Sequence, residues 1–240
     1  MKKSTIQTLI WLAVFAVAMG YMETAVVVYL REIFYPDGFA FPLQPITSNI
    51  AIIEIIREAA TIIMLAGAGI LSGRTLVEKF GNFAYSFAIW DIFYYVFLKL
   101  LLNWPESFLT WDLLFLIPVP WVGPIICPLI NSLTLILLAL VISWFTDKNA
   151  TAKLNGKEWA MLFAGTIIVI ISYTIDYSAY VLQRFSLSEL LDDLNREEIL
   201  IIAAQYIPNN FDWWIFIVGE IFILSGILMF VIRNKKLNYF

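Results

Sequence analysis

The chain has 240 residues, of which 61% are hydrophobic and 14% are charged, with a net charge of -4 and a mean hydropathy of +0.84. This composition is too apolar for an ordinary water-soluble domain and predicts a polytopic membrane protein. Histidine is absent and Cys127 is the only cysteine, which excludes imidazole-ligated haem, His/Cys zinc sites, Ser-His-Asp or Cys-His catalysis and intrachain disulfides. We expect no cofactor and no metal, although a Mg²⁺ or Ca²⁺ site built from carboxylates alone stays open.

The first apolar run follows Met1-Lys2-Lys3 and contains Ala16-Val17-Ala18, which resembles a cleavable signal peptide. The run continues to Leu30, however, and so reaches the roughly 20 residues that a membrane span needs. We interpret it as an uncleaved first span.

Hydropathy predicts an all-α fold in which residues 1–240 form a single transmembrane domain, a bundle of six helices. The predicted spans cover 5–30, 48–72, 82–102, 125–146, 158–182 and 213–233. Gly69 and Gly73 form a GxxxG pair in the second span, and we favour close packing inside this bundle over a dimer face.

Basic residues orient the predicted spans, because cytoplasmic connections of membrane proteins are enriched in Lys and Arg. Ten basic residues lie in the two tails and in the connections after the second and fourth spans: Lys2, Lys3, Arg74, Lys79, Lys148, Lys153, Lys157, Arg233, Lys235 and Lys236. The other connections hold Arg31, Arg184 and Arg196. The bias predicts a plasma-membrane protein with both termini in the cytoplasm, and no basic tract indicates a nucleic-acid partner.

Two segments on the predicted outer side are more than simple connections. Residues 111–128 contain Pro118, Pro120, Pro124 and Pro128, which cannot form a continuous lipid-exposed helix, so we expect a re-entrant or interfacial hairpin. The alternative is a long apolar loop lying on the bilayer and anchored by Trp104, Trp111 and Trp121. Residues 184–207 predict an acidic amphipathic helix that caps the bundle or lies along the interface. Its apolar residues, at near-helical spacing, are Leu187, Leu190, Leu191, Leu194 and Ile201, and the acids that oppose them are Asp192, Asp193, Glu197 and Glu198.

Two aromatic runs, WDIFYYVFLKLLLNWP (Trp90–Pro105) and WDLLFLIPVPWVGP (Trp111–Pro124), are fairly distinctive, and the similarity based on them covers about a third of the chain. They resemble an uncharacterised family of bacterial six-span inner-membrane proteins. The resemblance implies a six-span fold in the bacterial inner membrane. It implies no activity, ligand or site residue.

Ionisable side chains inside the predicted spans are the strongest functional signal, because charge at membrane depth costs about 2.5 to 3.5 kcal/mol per residue. Eight of them lie in the outer half or the middle of the bundle: Glu23, Glu54, Arg57, Glu58, Asp91, Lys99, Asp176 and Glu220. Glu54, Arg57, Glu58 and Thr61 share one helical face, so these charges can also form a packing network, and Lys99 can reach the outer surface. Glu23, Asp91 and Glu220 have no local cation.

We therefore predict that these residues bind a ligand or an ion in an outward-facing, acid-rich cavity. The first functional hypothesis is a small transporter or channel-like protein that handles protons, cations or a basic solute. The second is a non-catalytic subunit or assembly factor of a larger membrane complex, with other membrane subunits as partners beside the lipid bilayer. The third is an intramembrane enzyme that acts on a lipid, with Asp91 as general base and Arg57 or Lys99 holding an anionic head group. Since no catalytic motif is recognisable, a non-enzymatic function is favoured.

Overall fold

The structure, a computed structural model, describes residues 1–190 and 196–237. Over these residues it is a helical bundle with one two-stranded hairpin. The elements in chain order are α1 (Lys3–Phe34), α2 (Ser48–Ser72), α3 (Leu76–Leu102), β1 (Trp111–Phe115), β2 (Trp121–Pro124), α4 (Ile126–Lys148), α5 (Gly156–Leu182), α6 (Leu187–Leu190), α7 (Arg196–Ala204) and α8 (Trp213–Leu237).

Five helices, namely α1, α3, α4, α5 and α8, are long and apolar enough to cross a membrane. The protein thus has the fold of an integral, multi-pass membrane protein. The sixth long helix, α2, has 25 residues, which is also a spanning length, but it is not among the five. It carries Glu54, Arg57 and Glu58 within five positions, and these charges reduce its apolar character.

Polar caps decide where two of the helices begin. The predicted third span begins at residue 82, whereas α3 begins at Leu76, because Thr75 and Glu78 form a capping box that satisfies the first free N–H groups. Asn155 and Glu158 form the same motif at the start of α5, close to the predicted start at 158. A hydropathy profile misses such boundaries since capping residues are polar.

Helix packing follows the order α1 and α2 on α3, α3 on α4, α4 on α8 and α8 on α5. The α5–α8 contact is the most extensive, and glycines permit it. A Cβ atom added to Gly165 would lie 2.7 Å from the carbonyl oxygen of Gly219. The two backbones therefore meet directly where these helices cross.

The GxxxG pair of α2 packs inside the bundle, in agreement with the expectation. A Cβ atom on Gly69 would lie 2.6 Å from the backbone nitrogen of Phe83, and one on Gly73 would lie 2.5 Å from that of Lys79. Both positions contact α3, so α2 is held against α3 by close backbone approach.

An ion pair with a buried carboxylate joins α5 and α8 at the end of the bundle that holds the start of α1 and the end of α8. Glu158 is completely buried, and its two carboxylate oxygens accept hydrogen bonds from Arg233 at 2.7 Å and 2.8 Å. Arg233 also donates to the carbonyl oxygen of Lys153 at 2.6 Å. The pairing joins residues that are 75 positions apart, so the sequence pattern alone places Arg233 in the basic tail.

The Pro-rich segment is a β-hairpin in which β1 and β2 pair antiparallel. Trp111 lies opposite Pro124 and Asp112 opposite Gly123, and the register shifts between Leu113 and Phe115. A hydrogen bond of 3.1 Å from Ile125 N to Thr110 O joins the residue after β2 to the residue before β1, next to the start of α4. The hairpin thereby lays the residues between its strands across one end of the bundle.

The segment predicted as one amphipathic helix over 184–207 contains the short helices α6 and α7. Leu191, Asp192, Asp193 and Leu194 of that prediction lie outside the described residues. Helix α7 is attached on two sides. The Tyr180 hydroxyl of α5 donates to Ile202 O at 3.2 Å, and the Glu197 carboxylate accepts from the Ser48 hydroxyl at 2.5 Å, at the start of α2.

Candidate functional site

A cavity of about 600 Å³ lies at the end of the bundle opposite the start of α1 and the end of α8. Its walls come from α1, α2, α3, α5 and α7, and the hairpin closes part of it. Seven charged side chains line it: Glu23, Arg31, Glu54, Arg57, Glu58, Asp91 and Asp112. Most of the other lining residues are aliphatic or aromatic, so the cavity combines apolar walls with an excess of carboxylates.

Arg57 is the centre of one charged cluster in this cavity. Its guanidinium donates through Nε and Nη2 to Glu54 Oε2, at 3.0 Å and 2.8 Å, and through Nη1 to Glu23 on α1. Thr61, one turn further along α2, donates to the other oxygen of Glu23 at 3.1 Å. Glu23 and Glu54 are each 8% exposed, so both carboxylates depend on Arg57 for compensation of their charge.

Glu58 connects α2 to the hairpin. One of its carboxylate oxygens accepts a hydrogen bond of 2.8 Å from the backbone N–H of Leu116, which follows β1. The side chain is buried among protein atoms but lies on the cavity wall. Since Leu116 uses only Oε2, a carboxylate can accept further hydrogen bonds from a ligand at this position.

Asp91 lies on the wall formed by α3. Its Oδ2 atom accepts a hydrogen bond of 2.8 Å from the Ser132 hydroxyl on α4. This bond joins the cavity wall to the helix behind it. Ser132 is neutral, so this hydrogen bond does not compensate the charge of Asp91 when its carboxylate is ionised.

A second ion pair, between Arg31 and Asp112, is not predicted by the sequence pattern. Arg31 Nη2 lies 3.3 Å from Asp112 Oδ1, the Tyr95 hydroxyl donates to Asp112 Oδ2 at 3.2 Å, and the guanidinium stacks on Trp104 at 3.8 Å from the ring centre. Both charged residues are buried, at 7% and 1% exposure. Burial raises the pKa of Asp112 to about 6, although the Arg31 guanidinium and the Tyr95 hydroxyl favour its charged form.

The sequence did contain one signal for Asp112. Both aromatic runs begin with Trp-Asp, and the acid of the first run, Asp91, is one of the predicted site residues. Asp112 lies in a Pro-rich run that cannot form a continuous helix, so the pattern of apolar helices does not predict its depth. Arg31 follows the predicted first span, which ends at residue 30, whereas α1 extends to Phe34.

Three of the eight predicted residues lie outside the cavity. Lys99 is exposed and donates to the backbone oxygens of Asn103 and Pro105 at 3.2 Å and 2.9 Å, which satisfies carbonyl groups after the end of α3. Asp176 is exposed and accepts a hydrogen bond of 2.5 Å from the Tyr206 hydroxyl. Glu220 faces α4, because α8 packs behind α4 and α5 and does not reach the wall formed by α1, α2 and α3.

The cavity is thus lined by five of the predicted residues, Glu23, Glu54, Arg57, Glu58 and Asp91, together with Arg31 and Asp112. Within residues 1–190 and 196–237, no three side chains of the Asp, Glu or Cys type come close enough together to hold a metal ion. The chemistry that this arrangement favours is electrostatic attraction of a cation with hydrogen bonds to carboxylate oxygens, combined with apolar contact to the rest of the ligand.

Comparisons of the chain with protein-family models, with curated proteins and with solved structures gave no match.

Proposed function

We propose that this protein is a small transporter of the bacterial inner membrane that takes a basic organic solute into its charged cavity from the outer side. The observation that carries the proposal is the charge balance of the cavity. Five carboxylates face two guanidiniums, and both guanidiniums are already bound to carboxylates of the protein. An excess of negative charge in a half-enclosed site attracts a cation.

The apolar part of the lining indicates what kind of cation fits. Residues such as Val27, Ile50, Leu113 and Val181 surround the charged groups and offer no hydrogen bonds. A bare metal ion gains nothing from such walls, whereas an amine with an aliphatic or aromatic body buries apolar surface against them. The cavity volume of about 600 Å³ lies within the roughly 300–1,000 Å³ of small-molecule sites.

The proposed orientation follows from the ten-to-three distribution of basic residues. The cavity lies near the end of α1, α3 and α5 and near the start of α2, at Arg31, Tyr95, Tyr177 and Ile50. The start of α1 and the end of α8 belong to the opposite end. With cytoplasmic termini, the cavity therefore opens to the outside.

The proposal includes α2 as a sixth span. Its 25 residues have a length of roughly 37 Å at about 1.5 Å per residue, which exceeds the hydrocarbon thickness of a bilayer. The charged groups of α2 face the protein interior, where Arg57 binds Glu54 and Glu23 and where the Leu116 N–H donates to Glu58. Charges that face a protein interior are the ones that membrane helices tolerate.

Calorimetric titration of the protein in nanodiscs tests the binding step. Benzyltrimethylammonium is the cationic probe, and benzenesulfonate is an anion of similar size and aromatic character. We expect the cation to bind and the anion not to bind. Glu58→Gln should weaken cation binding by about tenfold or more, since a charge pair at 4 Å contributes roughly 1 to 4 kcal/mol between water-like and surface dielectrics.

Glu106→Gln is the matched control, because it makes the same substitution at an exposed acid that does not line the cavity. It should leave the affinity unchanged. Equal binding of the cation and the anion, or equal effects of the two substitutions, would exclude the cavity as a cation site. Uptake of the cation into proteoliposomes then tests transport, and binding without uptake would reject the transporter while leaving the binding site in place.

A further inference from the structure

Glu220 is a buried acid that the cavity does not use. It lies on α8 and is 6% exposed, and its Oε2 atom accepts a hydrogen bond of 2.8 Å from the Thr134 hydroxyl on α4. Its Oε1 atom is fully buried and accepts no hydrogen bond from the part of the chain that the structure describes. An ionised carboxylate has about four acceptor positions, and here a single neutral hydroxyl serves them.

The groups that face Glu220 do not compensate a negative charge. The titratable side chains that interact with it are Cys127 on α4 and Tyr173 on α5, which are neutral or negative in any protonation state. Among the arginines, Arg31, Arg57 and Arg233 are bound to other carboxylates. Burial of a carboxylate without a cation or a full set of hydrogen bonds costs several kcal/mol.

A bound cation could compensate the charge of Glu220 in principle, but the surroundings do not supply the ligands. A metal ion such as Ca²⁺ requires 6–8 oxygen atoms. Glu220 and Thr134 provide the oxygens of one carboxylate and one hydroxyl, and no metal-binding group of three acidic or Cys side chains occurs in residues 1–190 and 196–237. A proton needs only one carboxylate oxygen, and it removes the charge altogether.

We infer that Glu220 is a proton-binding site at the α4–α8 interface, separate from the cavity. Thr134 donates to Oε2, and the proton resides on Oε1, the oxygen without a donor. Helix α4 also connects this site to the cavity wall, since Ser132, two positions before Thr134, donates to Asp91. One helix thus contacts both the proton site and an acid of the cavity.

Infrared spectroscopy of the protein in nanodiscs at neutral pH tests this inference, because a carboxylic acid has a C=O stretching band that a carboxylate lacks. We expect the wild-type spectrum minus the Glu220→Gln spectrum to contain a carboxylic-acid band equivalent to one group. Glutamine keeps the shape of the side chain and an oxygen for Thr134. Glu106→Gln, the same change at an exposed acid, should remove only carboxylate bands.

Thr134→Val provides a second readout that keeps Glu220 in place. Loss of the hydrogen bond to the carbonyl oxygen of the acid should move the same band to higher frequency without removing it. A difference spectrum that contains only carboxylate bands would overturn the inference. Disappearance of the acid band when sodium replaces potassium in the buffer would also overturn it, because the site would then bind a metal cation in place of the proton.

Discussion

Arg57 on α2 binds Glu23 on α1, a residue 34 positions earlier in the chain. The same guanidinium holds Glu54 on its own helix at 2.8 Å. Helices α1 and α2 pack mainly on α3 and touch each other little. The Arg57–Glu23 ion pair is therefore the principal polar connection between these two helices, and it defines one wall of the cavity.

Arg57→Ala should destabilise the protein by roughly 3–5 kcal/mol, because it leaves Glu23 and Glu54 buried without a counter-charge. Denaturant or thermal unfolding in a mild detergent measures the loss. The matched variant combines Arg57→Leu with Glu23→Gln and Glu54→Gln, which removes all three charges. It should recover most of the stability. An equal loss in both variants would show that packing of the arginine side chain, and not charge compensation, is responsible.

Asp112 should make the stability of the protein depend on pH in the acidic range. Its pKa is raised from 3.8 to about 6 in the folded protein, so the folded state binds this proton more tightly than the unfolded chain does. The resulting stabilisation is complete below about pH 4 and is lost as the pH rises to about 6. At about 1.36 kcal/mol per pKa unit, the contribution is on the order of 3 kcal/mol.

Asp112→Asn should remove this pH dependence, since asparagine does not titrate in that range. As the pH rises from about 4 to about 6, the unfolding free energy of the wild type should therefore fall relative to that of the variant. Both proteins contain the same remaining acids, so the comparison isolates Asp112. Parallel stability curves over this range would contradict the assignment.

Gly165→Ala should destabilise the α5–α8 contact, because the new methyl group would meet the backbone oxygen of Gly219 at 2.7 Å and a backbone cannot move aside as a side chain does. The expected loss is about 1–3 kcal/mol. Gly67→Ala is the control, since a Cβ atom there meets nothing within 4 Å. The control should be neutral or stabilising by up to about 1 kcal/mol, because alanine favours the helix. Similar losses in the two variants would argue against the close crossing.

The proposed orientation predicts which connections are accessible from outside the cell. Single cysteines at Glu106 and Ala150, both exposed, can be introduced after Cys127→Ala removes the buried native thiol. A membrane-impermeant maleimide added to intact cells should label position 106 and not position 150. Labelling should reach position 150 once the membrane is permeabilised. Labelling of position 150 in intact cells would reverse the orientation.

Local patterns in the sequence were sufficient to predict side-chain contacts within a single helix. The spacing of Glu54, Arg57 and Thr61 places them on one face of α2, and in the structure Arg57 binds Glu54 three positions earlier. Lys99 donates to backbone oxygens near the end of its helix, which agrees with the interpretation that this lysine reaches towards the surface. These contacts depend only on helical geometry, which is the same in every α-helix.

The partners on other helices were decided by the tertiary structure. Glu23 meets Arg57, Asp91 meets Ser132, and Glu220 meets Thr134 in a place apart from the cavity. Arg31 and Asp112 meet only because the hairpin folds back over the end of α1.

By itself, the sequence determined that the chain is a membrane-embedded helical bundle and that most acids of its predicted spans lie towards one end. Apolar length and charge position are properties of each segment, so they can be calculated from the sequence. The rotation of each helix and the choice of its neighbours depend on close packing, such as the backbone contact between Gly165 and Gly219. For this reason, only the tertiary structure decided that Glu220 faces α4 while Asp112 joins the cavity.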